Sequence, residues 1–434
     1  MTKRSVFKVL SLVVATLILA ASGAYAMSPK PTWPEQHTID YNHVMRDGLG
    51  GWNILQDDYR KFNALDGFSL EWDYYSFHDD DGKFTGVVGI VVADPEGKLG
   101  GNETFSALNL MPSGVNFALY GQFPGKEPVA IYTPLGLGHE VGVNERSLYA
   151  EGEDGVFIEE IPVPGENGEP DVMIIRGNNG AYAWDFSVNQ GFTDYAPLKP
   201  ETWVVGNDTD ALLPDEHWTV NMLWPTTEVH GSITDLSTGE TTEINGHGYR
   251  ENSFGRWAFV LGGWDFAFMS DPDTHVQWAF QTYHFNTENL DYVDVDFLDN
   301  GNPVVQRFHA EDGELGWVHG DWQWDAEARQ YLPTDLTVVG KNDQYTVEAY
   351  VNIGSNYAPM LSDVTFIVET YCIFAQMPWI TGVVKRTETG EVVATFEGQG
   401  GGEFSVMRSF CANEPSLDVK KNIFTSTFSH PMPE

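Results

Sequence analysis

The chain has 434 residues, of which 42% are hydrophobic and 13% aromatic, so it is long enough for two ordinary domains with apolar cores. This composition excludes a chain that is disordered throughout. The formal net charge is −40, with 63 acidic against 23 basic residues, which makes nucleic acid and anionic lipid poor partners. A salt-rich habitat explains this charge more simply than an acidic functional patch does.

Residues 1–26 have the pattern of a secretory signal peptide. Basic residues at positions 3, 4 and 8 precede an apolar run over 9–21, and alanines at 24 and 26 provide a cleavage site. No later run approaches ~20 apolar residues, so we expect no stable membrane insertion. The mature protein is predicted to be exported, to a periplasm or out of the cell, with residues 27–45 as a linker. In that oxidising compartment Cys372 and Cys411 have two possible states, one disulfide or two separate thiols.

The rest of the chain is predicted to be all-β. Strand-forming runs are bounded by Gly, Pro, Asn and Asp, whereas segments of helical period are scarce. Closure into antiparallel β-barrels is the usual way to cover so many strand edges. The predicted strands lie at 85–93, 115–123, 129–132, 172–175, 256–268, 276–285, 291–298, 345–352 and 392–396.

An internal repeat predicts two barrels of related fold. Residues 230–240 align with 381–391, both segments ending in Thr-Gly-Glu, and after one residue of slippage 246–251 aligns with 398–403. Each copy reads strand, Thr-Gly-Glu turn, strand, Gly-x-Gly-x-x-Glu. We therefore predict domains at 46–252 and 253–434. The repeated glutamates at the ends of the copies are also compatible with a structural role.

Several short motifs resemble one protein superfamily. They are E71-W-D-Y-Y75, L223-W-P-T226, G246-H-G-Y-R-E-N-S-F-G255 and G263-W-D-F-A267, in this order. The order is similar to that of the carotenoid 1,2-hydratase (hydroxyneurosporene synthase) superfamily, which includes AttH-like proteins, kievitone hydratases, tocopherol cyclases and fungal Diels-Alderases. The resemblance implies two tandem lipocalin-like (calycin) β-barrels with a ligand cavity at or near their interface.

The same resemblance implies catalytic positions. The hydratases of the superfamily use an acidic residue two places after a Tyr, with an upstream Trp and His. These positions correspond here to Glu251, Tyr249 and Trp224, while Met222 occupies the position of the His. Glu in place of Asp and Asn-Ser-Phe-Gly after the acid are further departures. They weaken the case for hydration of a carotenoid end group but keep a shared cavity and acid position.

The chemistry of Glu251 can be argued without the resemblance. Protonating an alkene requires a strong donor aimed at carbon, and a carboxyl group in an aromatic cavity keeps its proton because burial disfavours the anion. Trp224 and Tyr249 would face the developing cation. The opposing interpretation is structural: Glu251 pairs with Arg250 or another base at a barrel rim, and both rings belong to a core.

Other candidates have weaker support. His247 beside the acid, Asp265 as a second carboxylate, and Trp264 and Met222 are predicted to contact substrate; a turn histidine and a turn-anchoring Asp are the structural alternatives. No His spacing favours zinc, and no nucleophile elbow or nucleotide motif is present, so no metal or other cofactor is expected. The acidic residues 294, 296 and 299 suggest a solvated hairpin face rather than a calcium site.

Three functions follow from these patterns. The first is a cofactor-free hydratase, isomerase or cyclase that acts on a hydrophobic unsaturated molecule such as an isoprenoid, fatty acid or phenolic compound. The second is a non-catalytic lipocalin-like carrier of an apolar ligand. The third is a structural envelope protein with filled barrels. The sequence does not define the oligomeric state.

Overall fold

The structure is a computed structural model, and its described part is almost entirely β, which confirms the predicted all-β, antiparallel barrel class. No helix in that part has the length and apolar character of a membrane span. The predicted signal peptide, the linker and Cys411 lie outside it. The described residues are 69–93, 114–136, 141–143, 148–163, 172–190, 201–204, 217–256, 263–271, 273–284, 291–325, 330–361, 365–366, 368–369, 372–406 and 429–433.

The first half of the chain forms one antiparallel sheet, with twelve strands in the described residues. Its order is β4-β3-β2-β1-β12-β11-β9-β8-β7-β6-β5, and β10 pairs with β11. A single 3-10 turn, Glu153–Gly155, separates β6 from β7. The strands are β1 Ser69–Asp79, β2 Thr85–Ala93, β3 Gly114–Gln122, β4 Val129–Gly136, β5 Val141–Val143, β6 Leu148–Glu151, β7 Phe157–Val163, β8 Val172–Asn178, β9 Tyr182–Gln190, β10 Glu201–Val204, β11 His217–Asp235 and β12 Thr241–Arg256.

This sheet curls around its own apolar core. In β8, burial alternates residue by residue, so that Met173 and Ile175 point inward while their neighbours do not. The core contains side chains from β1, β2, β3, β8, β9, β11 and β12, among them Phe77, Phe117 and Phe186. Alternation therefore leaves the odd-numbered side chains of β1 inside and the even-numbered ones on the outer face.

The second half of the chain forms a seven-stranded sheet, β16-β15-β14-β13-β28-β25-β22, and a five-stranded sheet, β17-β20-β21-β26-β27, counted over the described residues. Two short hairpins, β18-β19 and β23-β24, complete it. The strands are β13 Gly263–Asp271, β14 Val276–His284, β15 Tyr292–Asp299, β16 Asn302–His309, β17 Leu315–His319, β18 Trp322–Asp325, β19 Gln330–Pro333, β20 Asp335–Lys341, β21 Tyr345–Asn352, β22 Tyr357–Leu361, β23 Thr365–Phe366, β24 Val368–Glu369, β25 Cys372–Gln376, β26 Trp379–Arg386, β27 Val392–Gln399 and β28 Gly401–Val406.

The seven- and five-stranded sheets enclose a second apolar core. Trp278 and Val295 contribute from the first of these sheets, and Val338, Val347 and Ile380 from the second. The alternation is clear in β21, where every second residue from Tyr345 to Val351 is buried. The predicted domain boundary at 252/253 stays a prediction; the twelve-stranded sheet ends at Arg256 and the seven-stranded sheet begins at Gly263.

The Thr-Gly-Glu segments of the repeat form matching turns. The Gly239 N–H donates to Asp235 O at 2.8 Å and the Asp235 N–H to Glu240 O at 2.9 Å. In the second copy the Gly390 N–H donates to Arg386 O at 2.8 Å. Both glycines have positive φ, +73° and +70°, which favours Gly at this position. The two hairpins β11-β12 and β26-β27 thus share one turn geometry.

The outer faces of the two halves meet at β1, β12, β13 and β14. The Gln277 side-chain amide on β14 donates to Gly248 O on β12. The centroids of the Trp72 and Trp264 rings are 6.1 Å apart. On β15, Asp294 and Asp296 are each 3% exposed. The solvated hairpin face predicted for these acids is therefore wrong at Asp294 and Asp296, because both faces of β15 are buried over residues 292–297, while Asp299 is half-buried. Asp294 forms a 2.6 Å ion pair with Arg307.

Asp296 is expected to destabilise the native state at neutral pH. Both of its carboxylate oxygens are buried without a hydrogen-bond partner, and burial, together with the charge of Asp294, raises its pKa well above the usual value. Stability from the neutral form is fully present below the ordinary pKa of Asp and is lost as the pH rises through the raised one. We predict that Asp296→Asn stabilises the protein at pH 7 by about 1–3 kcal/mol, measured by urea unfolding. The gain should vanish near pH 3; an equal gain at both pH values would contradict it.

Candidate active site

A small cavity lies where the two halves meet. Its volume is about 10 Å³, which is the space that one water molecule needs. Indole, phenol and phenyl rings form most of its wall, and two carboxyl groups and one amide face into it. The lining residues are Trp72, Tyr74, Glu251, Trp264, Phe266, Gln281 and Glu403.

The two glutamates are placed by equivalent strand pairs. In the first half β1 pairs with β12, so that Tyr74 is opposite Glu251. In the second half β13 pairs with β28, so that Phe266 is opposite Glu403. Directly opposite residues on an antiparallel pair share one face of the sheet. Each glutamate therefore projects from the outer face of its own half towards the other half.

Glycines allow β12 to lie close to β1. A Cβ at Gly248 would collide with the backbone carbonyl of Ser76, and one at Gly246 with that of His78. The Gly-His-Gly part of the motif therefore serves backbone packing. The acid that follows it lines the cavity, so the motif has both a structural part and a part that belongs to the site.

Glu251 is buried, with 3% of its surface exposed, and its Oε1 accepts a hydrogen bond from Trp72 Nε1 at 3.3 Å. Arg250 does not neutralise it. Arg250 is the next residue along β12 and points into the first barrel, where it forms a 2.6 Å ion pair with Asp73. The pairing of Glu251 with Arg250 is therefore wrong, while the alternative of another basic partner stays a hypothesis.

Glu403 is also 3% exposed, and both of its carboxyl oxygens accept hydrogen bonds. Trp264 Nε1 donates to Oε2 at 2.8 Å and Tyr74 OH donates to Oε1 at 3.4 Å. Burial raises the pKa of Glu403 to about 7, even though the hydrogen bonds from Trp264 and Tyr74 lower it, and the charge of Glu251 adds to the rise. A carboxyl group with this pKa carries its proton for much of the time at neutral pH.

Tyr74 remains a neutral donor. Burial, followed by the charges of Glu403 and Glu251, raises the pKa of Tyr74 well above its usual value. The phenol is thus a fixed hydrogen-bond donor at all physiological pH values. Its ring lies edge-on to the Trp72 ring at 5.9 Å, which fixes the direction of the hydroxyl.

The predicted site residues separate into three groups. Glu251 and Trp264 both line the cavity. Asp265 points away from it, into the second barrel, where it contacts His319 Nε2 at 2.5 Å. His247 lies four residues before Glu251 on β12, with Nδ1 2.9 Å from Asp80 Oδ1, and it is not part of the cavity lining. The side chains of Tyr249, Trp224 and Met222 lie outside the described residues, although the backbone of Met222 pairs with that of Glu251.

Sequence reasoning missed Glu403, Trp72 and Tyr74 as site residues. The signal for Glu403 was the repeat, which aligns it with Glu251. The signal for Trp72 and Tyr74 was the Trp-Asp-aromatic sequence shared by residues 72–74 and 264–266. Within the described residues, no group of three or more His, Cys, Asp or Glu side chains is arranged to hold a metal ion.

The sequence matches no protein-family model and no curated protein. Among solved structures, it is similar to a protein assigned as AttH from Nitrosomonas europaea, with a TM-score of 0.44, 10% identity, and coverage of 77% of this chain and 91% of that one. CghA gives a TM-score of 0.47 at 8% identity, covering 80% and 90%. Kievitone hydratase from Nectria haematococca gives 0.40 at 13% identity, also covering 80% and 90%.

AttH-like proteins and kievitone hydratases belong to the superfamily that the motifs resemble.

Proposed function

We propose that the protein is an enzyme that protonates a hydrophobic unsaturated small molecule and completes the reaction as a hydratase or isomerase. The observation that carries this proposal is the pair of buried carboxyl groups, Glu251 and Glu403, in one aromatic cavity. Since the cavity has room for one water molecule, the proposal requires the junction between the two halves to widen when a substrate enters. One of them has a pKa of about 7, close to the value at which a general acid is most effective in neutral solution.

The expected chemistry begins at Glu403. Its O–H bond breaks as the proton moves to an alkene carbon, and the electron pair of the double bond forms the new C–H bond. The neighbouring carbon becomes electron-deficient next to the Trp72 and Trp264 rings, whose centroids are 6.1 Å apart. Ring faces stabilise such a cation, more strongly where water is excluded.

Glu251 then serves as the base. It takes a proton from a carbon next to the cation, which gives an isomer, or from a water molecule that adds to the cation, which gives a hydrate. Either route uses protein carboxyl groups alone, so the proposal includes no cofactor. An isoprenoid, a fatty acid or a phenolic compound supplies the required double bond, and export of the protein to a periplasm or beyond is part of the same proposal.

The test compares wild type with Glu251→Gln. Both are first exposed to a lipid extract and to a panel of terpenoids, unsaturated fatty acids and prenylated phenols, and bound molecules are identified by native mass spectrometry. Bound compounds are then followed for conversion. We expect the variant to bind the same compound but to lose conversion by about 10²–10⁴-fold, the usual contribution of a positioned acid or base.

The matched control is Glu397→Gln, which changes an exposed glutamate on β27 and should leave both binding and turnover unchanged. Binding without turnover in the wild type would favour a lipocalin-like carrier. If no compound of the panel bound to the wild type, the enzyme proposal would fail and a filled structural barrel would be the better description.

A further inference from the structure

The cavity is built from two copies of one local arrangement. In each half, a Trp-Asp-aromatic sequence on the first strand pairs with a glutamate on a late strand. Trp72 donates its indole N–H to Glu251 at 3.3 Å, and Trp264 donates its indole N–H to Glu403 at 2.8 Å. The intervening aspartates, Asp73 and Asp265, point inward in both halves and contact a basic side chain there. We call each copy a Trp-Glu module.

The modules face each other across the junction. The Trp72 and Trp264 rings are in contact at 6.1 Å with an interplanar angle of 45°. Each glutamate lies on the outer face of its sheet, so each half of the chain supplies one carboxyl group to the same cavity. Two carboxyl groups that face one small cavity cannot both carry a negative charge without a large electrostatic cost.

One position makes the modules unequal. Tyr74 in the first module corresponds to Phe266 in the second, and only the tyrosine has a hydroxyl group. That hydroxyl reaches across the junction and donates to Glu403 Oε1 at 3.4 Å, while Trp264 holds Oε2. Tyr120 on β3 is a third hydrogen-bonding neighbour of Glu403. Because Glu403 and Glu251 both line the cavity, the carboxylate of Glu251 is the acceptor that an O–H bond of Glu403 meets there.

We infer that Glu251 and Glu403 share a single proton across the cavity as a matched pair, and that the Tyr74 hydroxyl is the positioning group that aims the acid of Glu403 at this space. The inference deepens the proposed function: it rests on that function for the reaction, but the shared proton itself requires no substrate.

The shared proton also closes the catalytic cycle. Glu403 gives one proton to the substrate, and Glu251 receives one from the neighbouring carbon or from the attacking water. The pair then holds the same number of protons as before, with the proton on Glu251. Transfer from Glu251 to Glu403 across the cavity restores the starting state, so no oxidant, reductant or external acid is consumed.

The test is a titration of the substrate-free protein by ¹³C NMR, with glutamate labelled at the side-chain carboxyl carbon. The titratable groups that face Glu403 are Glu251 on β12, Tyr74 on β1 and Tyr120 on β3. In the wild type, Glu403 should titrate near neutral pH. In Glu251→Gln its pKa should fall by at least about one unit, the threshold for a coupled pair. In Tyr74→Phe it should rise, because the anion loses a donor.

An unchanged pKa of Glu403 in Glu251→Gln would overturn the shared proton, and an unchanged pKa in Tyr74→Phe would overturn the role of the hydroxyl. Glu397→Gln serves as the folded control. The outcome is separable from the proposed function, since coupling without any turnover of the compound panel would refute the enzyme and keep the pair. Loss of turnover in Glu251→Gln without coupling would refute only the pair.

Discussion

Replacing Glu403 with glutamine is expected to lower kcat by about 10²–10⁴-fold, because glutamine is isosteric with the acid but cannot donate a proton to carbon. The amide can still accept a hydrogen bond from Trp264 or Tyr74 at its one oxygen, so the cavity should keep its shape. Substrate affinity should therefore change little, and the loss should be seen in kcat. The measurement is steady-state kinetics on a compound that the wild type converts.

The pH profile separates an acid from a residue that only shapes the cavity. For the wild type, kcat/KM should be level up to a pH of about 7 and then fall about tenfold per pH unit, since Glu403 must be protonated and its pKa is about 7. In Glu403→Gln the fall at high pH should be absent from the residual rate. A residual rate that still fell above pH 7 would assign the acid to another group.

Much of the fold could be predicted because local signals agreed with the final packing. The predicted strand 85–93 corresponds to β2, and 345–352 corresponds to β21. The predicted run 256–268 overlaps the end of β12 at Arg256 and the start of β13 at Gly263, and its residues 257–262 lie outside the described part of the chain. Which outer faces would meet was also not encoded in any local pattern. Asp294 and Asp296 were misjudged because the alternation of acidic and apolar residues in β15 gave no sign that both faces of the strand are buried.

The site was predicted only in part, because local sequence patterns do not show which sheet faces pack together. Glu251 could be found because one motif contains it together with the glycines that bring β12 against β1. Glu403 is 152 residues further along the chain and reaches the cavity only through the docking of two sheets. The repeat did align the two glutamates, but a repeated residue on the outside of each barrel looks structural until the two outer faces are known to pack together. Strand alternation points Asp265 into the second barrel, away from the cavity. His247 lies earlier on β12 than Glu251 and contacts Asp80 instead of the lining.

Replacing Arg250 with methionine is expected to lower the free energy of unfolding by about 3–5 kcal/mol, the usual effect of removing one partner of a buried ion pair. Arg250 is fully buried and binds Asp73 through two hydrogen bonds, of 3.1 Å from Nε and 2.6 Å from Nη2. Its guanidinium also lies 5.3 Å from the centre of the Tyr75 ring. The variant would leave Asp73 in the barrel interior beside another buried carboxylate, Glu160. Urea unfolding at pH 7 measures the loss.

Arg176→Met is the matched control, because it removes an arginine from an exposed 3.1 Å pair with Asp185 and should change stability little. The loss in Arg250→Met should also shrink at acidic pH, where the abandoned carboxylates become neutral. Equal losses in the two variants, or a loss independent of pH, would show that methylene packing rather than charge is lost. The ion pair matters to the site through strand geometry. Arg250 and Glu251 are adjacent on β12 and point to opposite faces, so the charge pair inside the barrel holds the strand that presents the acid outside it.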